Sequence, residues 1–156
     1  MKVNRSVEHA VFAVLMLAVQ IGHAPVKSHV LSSVMGVSDS YLKKTLRKLT
    51  VAGIVDSVAS KEGGYVLARP VSQISLADVY SAIEPDGFSF RSSPLAEAVF
   101  PEGGEHVQES ADKVSAFFQE GYAALLGKLD ACVLSDLLEP GAWEEGIVDW
   151  AARVNL

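Results

Sequence analysis

The order of four short patterns within residues 26–68 restricts the fold of this chain more than any other feature of its sequence. Two stretches with helical spacing of apolar residues are separated by Gly36, which ends the first of them. Two apolar runs follow, with Gly63 and Gly64 between them, and we predict a β-hairpin because glycine permits the positive φ of a tight turn. The patterns cover residues 26–35, 38–53, 54–58 and 65–68.

The second helical stretch has an apolar face and a basic face. Its apolar stripe is Tyr41, Leu42, Thr45, Leu46 and Leu49, and its cations are Lys43, Lys44, Arg47 and Lys48. The major groove of DNA admits one α-helix, so we expect Lys43 or Lys44 to reach bases and Arg47 or Lys48 to hold phosphates. Ser38 and Ser40 at the helix N-terminus can bond phosphates or base edges. This order of elements is that of a winged helix-turn-helix domain, although a solvated surface would also explain the basic face.

Charged residues divide the chain into a basic front and an acidic back. The 156 residues have a net charge of −6. Residues 1–70 hold nine Lys and Arg against four acidic residues, a charge of +5, whereas residues 71–156 hold four against fifteen, a charge of −11. This asymmetry predicts nucleic-acid contact by the front half and a different task for the back half.

Two further helices have the character of subunit contacts. The first, over residues 6–21 with Asn4 or Ser6 as its N-cap, is apolar on nearly all sides, as expected where a helix faces its own domain and a partner. Apolar residues then recur at spacings of four and three over residues 107–129, which predicts a helix of about 25 residues packed on another helix. We expect that other helix to belong to a second copy. A terminal helix is predicted over residues 143–154.

Cysteine content and apolar runs exclude several classes of protein. Cys132 is the only cysteine, so one chain has no disulfide, no redox CxxC pair and no all-cysteine metal site. The apolar run Ala10–Val19 is shorter than the roughly 20 residues of a membrane span; it resembles the core of a signal peptide, but a buried first helix is favoured. No paired carboxylates, Ser/His/Asp set or phosphate loop is recognisable. We expect a cytoplasmic protein that is not an enzyme.

Three segments of the chain are similar to a known family. They are MKVNRSVEHAVFAVLMLA at the start, VSDSYLKKTLRKLTVAGIVDSV in the basic helix, and GGYVLARPVSQISLADVYSAIE from the hairpin onward. With these segments, residues 1–84 resemble the Rrf2 family of bacterial transcription regulators, and a long helix near residues 105–130 fits its dimerisation helix. The resemblance implies a homodimer whose long helices cross, each clasped by the first helix of the partner.

The sequence departs from the family's pattern in two places. Many members have a wing of the form RGPGGGY, whose arginine enters the minor groove, but residues 59–65 here read ASKEGGY and leave Lys61 as the only cation. Iron–sulfur members carry three cysteines in the loop before the long helix, and residues 85–106 contain none. We therefore expect no cofactor and no metal site, and control by a small-molecule or protein effector.

We predict a mainly α-helical chain with a small β-hairpin wing that acts as a homodimeric, sequence-specific repressor on a double-stranded DNA operator, without membrane contact. The predicted parts are a winged helix-turn-helix domain (1–84), an effector or hinge loop (85–104), a dimerisation helix region (105–139) and a C-terminal tail helix (140–156). The predicted DNA contacts are Lys2, Asn4, Arg5, Lys27, Ser38, Ser40, Tyr41, Lys43, Lys44, Arg47, Lys48, Lys61, Gly63, Gly64 and Tyr65. The predicted dimer contacts are Val11, Leu15, Val107, Val114, Phe118, Leu125 and Leu129. Two alternatives remain: an interaction module with degenerate DNA binding, and a sensor that binds haem or metal through histidines.

Overall fold

The structure, a computed structural model, describes residues 3–88 and 94–154. Within these residues the chain is mainly α-helical with one two-stranded antiparallel sheet, which confirms the predicted fold class. The helices are α1 (Arg5–Ala18), α2 (Ser28–Met35), α3 (Asp39–Val51), α4 (Leu76–Ile83), α5 (Leu95–Val99), α6 (Gly104–Asp130) and α7 (Trp150–Val154). The strands are β1 (Val55–Val58) and β2 (Gly64–Leu67), and 3-10 turns lie at Ile21–His23, Val71–Gln73 and Leu134–Leu137.

Helix α1 lies at the centre of the front core, where it packs against α3 and α4. Asn4 is its N-cap, because the Asn4 side chain accepts a hydrogen bond from the backbone N–H of Ser6 at 3.0 Å. The helix ends at Ala18, three residues before the predicted end. Gly22 in the following 3-10 turn has a φ of 59°, a left-handed conformation that glycine adopts without steric cost.

The helix-turn-helix forms at the predicted residues. Gly36 ends α2 in the left-handed conformation, with a φ of 66°. Ser38 then caps α3, because its hydroxyl accepts the backbone N–H of Tyr41 at 3.3 Å. The buried residues of α3 are Leu42, Thr45, Leu46 and Leu49. Tyr41 is only half-buried, so the predicted apolar stripe is confirmed at four of its five positions.

The predicted hairpin is present, but its glycines have a different role from the expected one. Strands β1 and β2 pair antiparallel, with Val55 opposite Leu67. Neither Gly63 nor Gly64 has a positive φ. A Cβ on Gly63 would collide with the carbonyl oxygen of Val58, and a Cβ on Gly64 would lie 2.5 Å from the carbonyl oxygen of Val26. The expectation of a positive φ was wrong, and the glycines are required by close backbone approach.

The chain divides into two compact units: residues 1–85 together with 129–156, called the front unit below, and residues 86–128, called the second unit. The last segment therefore packs with the front of the chain. The predicted terminal helix over residues 143–154 is much shorter than expected, because only α7 at Trp150–Val154 is helical. The functional labels of the four predicted parts stay predictions.

The C-terminal segment over residues 140–154, called the tail below, is joined to the end of α1 by hydrogen bonds within the front unit. The backbone N–H of Ile21 donates to the carbonyl of Val148 at 2.9 Å. Trp150 is buried, and its indole N–H donates to the carbonyl of Met16 at 2.8 Å. Gly146 permits this approach, because a Cβ there would collide with the backbone of Gln20.

The second unit contains α5 and most of α6. The predicted long helix is confirmed as the 27 residues of α6. Phe88 lies against α6, with ring centroids 5.6 Å from Phe118 and 6.2 Å from Tyr122. No residue of α6 is buried, so its apolar seam remains accessible within one chain. None of the helices in the described residues is long and apolar enough to cross a membrane.

Candidate nucleic-acid interface

Helix α3 presents all four predicted cations on its exposed side. Its buried residues lie at spacings of three and four and face the core, which leaves the basic residues on the opposite side. Ser38 and Ser40 at its N-terminal end are also exposed. With Tyr41, the structure thus brings seven predicted DNA contacts to one helix and its cap. The four ammonium and guanidinium groups nevertheless have different surroundings.

Lys43 is paired with an acidic residue of its own helix. Its Nζ lies 2.7 Å from Oδ2 of Asp39, one helical turn earlier. The Lys43 ammonium lowers the pKa of the Asp39 carboxyl, and that carboxylate raises the pKa of Lys43. A contact of Lys43 with DNA, as predicted, would therefore require the ammonium to leave Asp39. The i, i+4 spacing in the sequence could have indicated this pair.

Lys48 is held by the end of another helix. Its ammonium donates to the carbonyl oxygen of Ile83 at 2.7 Å. Ile83 is the last residue of α4, where an unpaired carbonyl and the negative end of the helix dipole favour a cation. Lys48 therefore ties α3 to α4, a role that the sequence did not indicate.

Lys44 and Arg47 are the two α3 cations that have neither an ion pair nor a side-chain hydrogen bond among the described residues. Together with Lys48 they line one side of a cleft of about 450 Å³ beside the C-terminal end of α4. Both side chains are exposed. Of the four cations they are the ones whose charge is most available to an external anion.

Tyr41 connects α3 to α1. Its hydroxyl lies 2.9 Å from Nδ1 of His9, and the two rings meet edge to face with centroids 5.4 Å apart. The hydroxyl therefore has a partner within the protein. This contact ties α3 to α1, although the position of His9 in the sequence gave no sign of it.

The remaining predicted contacts lie around the N-terminus of α1, the start of α2 and the wing. Arg5, Lys27 and Lys61 are exposed, whereas Lys2 lies outside the described residues. Tyr65 pairs through its backbone with Val26, at N–O distances of 2.8 Å and 3.0 Å. This pairing fixes the wing beside the start of α2. Asn4, Gly63 and Gly64 have the structural roles described above, and their contact with DNA stays a prediction.

The predicted dimer contacts are at least partly accessible in one chain. Val11, Leu15, Val107, Leu125 and Leu129 are half-buried. Val114 and Phe118 are 46% and 47% exposed. Phe12 and Phe117, which are not among the predicted dimer contacts, are 52% and 65% exposed and lie on α1 and α6. An apolar patch that stays exposed on one chain commonly marks an interaction surface.

The residue types that commonly ligate metals are dispersed in this structure. Within residues 3–88 and 94–154, no three His, Cys, Asp or Glu residues lie close enough together to hold a metal ion. Cys132 is half-buried in the front unit, where its carbonyl accepts the backbone N–H of Leu76 at 2.8 Å. His23 bonds the carbonyl of Glu144 at 3.1 Å.

Comparison with known proteins supports the interpretation of this face. Residues 3–140 match the Rrf2 family model, which is described as "Iron-dependent Transcriptional regulator". YwgB of Bacillus subtilis (strain 168), named as an HTH-type transcriptional regulator, is 36% identical over 126 residues, 77% of this chain and 80% of YwgB.

Two solved structures are similar along most of their length. A transcriptional regulator from Listeria innocua aligns with a TM-score of 0.64 and 26% identity, over 90% of this chain and 88% of its own. IscR of T. potens aligns with a TM-score of 0.60 and 26% identity, over 88% and 85% of the two chains. Together with the family match and the basic recognition helix, they show that the chain belongs to the Rrf2 family and is a DNA-binding transcription regulator.

Proposed function

We propose that the chain is a homodimeric repressor that binds a specific operator through helix α3 of each subunit. The observation that carries this proposal is the exposed basic side of α3, where Lys44 and Arg47 have no ion pair among the described residues. A single helix fits the major groove, and two half-sites lie one helical turn or a multiple apart. Two copies of α3 would then read two half-sites.

The four cations of α3 have distinct roles in this proposal. Lys44 reaches toward base edges, and Arg47 holds a phosphate. Lys43 exchanges its Asp39 partner for DNA. Lys48 keeps α3 and α4 together through the carbonyl of Ile83, so it contributes to DNA binding mainly by positioning the helix.

The dimer forms through α1 and α6. Accessible apolar side chains on both helices support this assembly, with Phe12 on α1 and Val114 and Phe118 on α6 about half exposed. Covering these side chains with a second copy would remove apolar surface from water, at about 25 cal/mol for each Å². A change in the angle between the subunits would alter the distance between the two α3 helices.

The effector is a small molecule or a protein rather than an iron–sulfur cluster. The family description names iron, but the donor set of this chain does not fit a cluster, because clusters need a set of soft thiolate ligands and the sequence has one cysteine. Residues 85–106, which were predicted as a loop but contain α5 and the start of α6, supply no cysteine to replace them. We place the protein in the cytoplasm, where the DNA of a bacterium is found.

Binding to the DNA upstream of its own gene, measured at several salt concentrations, tests the proposal. Arg47→Ala should weaken binding to all sequences and lower the slope of log K against log salt by about 1, because one phosphate contact is lost. Lys44→Ala should weaken binding to the operator more than binding to unrelated DNA. Lys113→Ala, which removes a cation from α6, is the control and should change neither. Wild-type affinity and salt slope in both α3 variants would contradict the proposed docking.

A further inference from the structure

A cleft of about 590 Å³ lies in the front unit, away from the basic side of α3. Its walls are the C-terminal turn of α1, the chain from β2 to the following 3-10 turn, and the tail. They comprise Leu17, Ala18, His23, residues 66–71, Trp143 and Glu144. Small-molecule sites are typically concave, mostly apolar and roughly 300–1,000 Å³ in volume. The cleft has this size and character, and the functions described so far do not use it.

The strand wall of the cleft presents an unpaired donor and acceptor. Backbone groups in an antiparallel pair point alternately toward and away from the partner strand. Ala68 donates its N–H to Ile54 on the β1 side at 3.0 Å, so the N–H and C=O of Leu67 point to the outer edge. Tyr65 uses the same edge to bond Val26. Within residues 3–88 and 94–154 the outward groups of Leu67 have no hydrogen-bonding partner.

Opposite charges lie on the two walls of the cleft. On the strand wall, Arg69 donates to the carbonyl of Gln73 at 2.6 Å and pairs with Asp78 at 2.9 Å. A guanidinium group has five N–H donors, so three remain for a ligand. On the tail wall, the exposed carboxylate of Glu144 has no ion pair among the described residues. The indole of Trp143 adds an apolar surface beside it.

The same region contains a strained residue. His23 has a φ of 48°, and it is the one non-glycine residue with a positive φ in the described parts of the chain. Its ring bonds the carbonyl of Glu144 and so holds the tail wall in place. Backbone strain of this kind persists where surrounding contacts impose it, and it is frequent at ligand sites.

We propose that this cleft binds a short apolar peptide with free termini, in the simplest case a dipeptide. The C-terminal residue of the ligand would pair with Leu67 as a residue of an added strand does, its N–H donating to the C=O of Leu67 and one oxygen of its carboxylate accepting from the N–H of Leu67. Its carboxylate would accept from Arg69, its ammonium group would lie near Glu144, and its side chains would contact the apolar walls and Trp143.

Titration of the full-length, ¹⁵N-labelled protein with leucyl-leucine tests the site without DNA. The chain has two tryptophans, so its spectrum contains two indole N–H signals. The Trp143 signal should shift and saturate. The Trp150 signal should stay in place, because that N–H is buried against the carbonyl of Met16. Absence of any saturable shift at Trp143 would overturn the proposal.

Two matched comparisons sharpen this experiment. Ala68→Phe adds a ring to an exposed residue of the cleft and should weaken binding at least about tenfold, whereas Ala59→Phe, at an exposed residue of the hairpin turn, should not. The capped peptide N-acetyl-leucyl-leucine amide, which lacks both charges, should also bind about tenfold more weakly. If Ala68→Phe and Ala59→Phe bind the peptide with equal affinity, or if the capped and free peptides do, the assigned site is contradicted.

A consequence for DNA binding rests on the proposed function. The cleft is lined by Val66 and Leu67 of β2, which is one of the two strands of the wing. A ligand in the cleft should therefore affect the wing and change the affinity for the operator. If the Trp143 signal shifts while operator affinity is unchanged, the peptide site stands and its regulatory role is rejected. If the protein binds no operator at all while Trp143 responds, the proposed function fails and the site remains.

Discussion

Helices α3 and α6 have similar amphipathic patterns, but the apolar face of α3 is buried by the rest of the chain and that of α6 is not. The 13 residues of α3 bury four side chains fully or nearly so against the front core. The 27 residues of α6 bury none. Leu42 and Leu46 of α3 are completely inaccessible, whereas Phe118 of α6 is 47% exposed. Amphipathic spacing thus identifies the face that needs a partner, and the tertiary structure shows whether the same chain provides it.

The two helices also differ in what their exposed sides offer. The exposed side of α3 is basic and suits a phosphate backbone. The accessible seam of α6 is apolar and suits a protein surface. This difference agrees with the assignment of DNA binding to α3 and of subunit contact to α6.

The largest expected effect is the loss of the dimer in Phe118→Asp. A carboxylate buried without a partner in an apolar interface costs several kcal/mol, and the subunits can avoid that cost by separating. We expect the dissociation constant to rise at least about a hundredfold. Sedimentation velocity should show a dimer for the wild type and a monomer for the variant. Gln119→Asp, one residue further along α6, is the control. A wild-type monomer at micromolar concentration would reject the contrast between α3 and α6.

Trp150→Ala should destabilise the front unit by about 3–5 kcal/mol, as expected for removal of a buried tryptophan. The variant loses the indole hydrogen bond to Met16 and the stacking of Arg153 on the ring, 5.2 Å from its centroid. Urea unfolding followed by circular dichroism measures the change. Trp143→Ala should cost less, because Trp143 is only half-buried. Equal losses in the two variants would show that the tail does not hold α1 as described.

Ser38→Ala should lower stability by about 1 kcal/mol, because it removes the N-cap of α3. Ser40→Ala is the matched variant, since Ser40 is exposed and provides no cap, and its effect should stay within about 0.5 kcal/mol. Thermal unfolding gives both values. The operator affinities of the two variants are then compared. A loss of affinity in Ser40→Ala would indicate a DNA contact, because that variant keeps the cap of α3. A stable Ser38→Ala protein would indicate that the cap contributes little to α3.

The smallest expected effect is a gain of DNA affinity in Asp39→Asn, of about two- to threefold, because Lys43 loses its competing partner. The folded pKa of Asp39 lies below its unfolded value of 3.8. The contribution of the Asp39–Lys43 pair to the stability of the fold is therefore fully present above the unfolded pKa of Asp39 and is lost as the pH falls through the folded pKa. Wild-type affinity should show no change from this pair between pH 6 and pH 8. Unchanged or weaker binding by the variant would argue that Asp39 orients Lys43 for DNA.

Much of the fold could be predicted because its signals are local. Gly36 and Ser38 end one helix and begin the next through their own backbone and side-chain chemistry. The seam of α6 is a periodic pattern, which needs no knowledge of distant residues. The terminal helix was predicted too long because Trp143 and Trp150 fit a helical spacing, while Gly146 and the bonds to the end of α1 favour an irregular backbone.

The sequence alone determined the order of α1, α2, α3, the hairpin and α6, the cap of α3, the basic side of α3 and the absence of a thiolate set, because each depends on neighbouring residues or on composition. It did not determine α5, which lies within residues 85–104 that were predicted as a loop. Only the tertiary structure decided which cations are available, since Lys48 is held by the distant Ile83 and Tyr41 by His9. It also decided why the hairpin needs Gly63 and Gly64 and how the tail encloses a cleft with the edge of β2. Those features depend on contacts between residues far apart in the chain, and local propensity carries no information about such contacts.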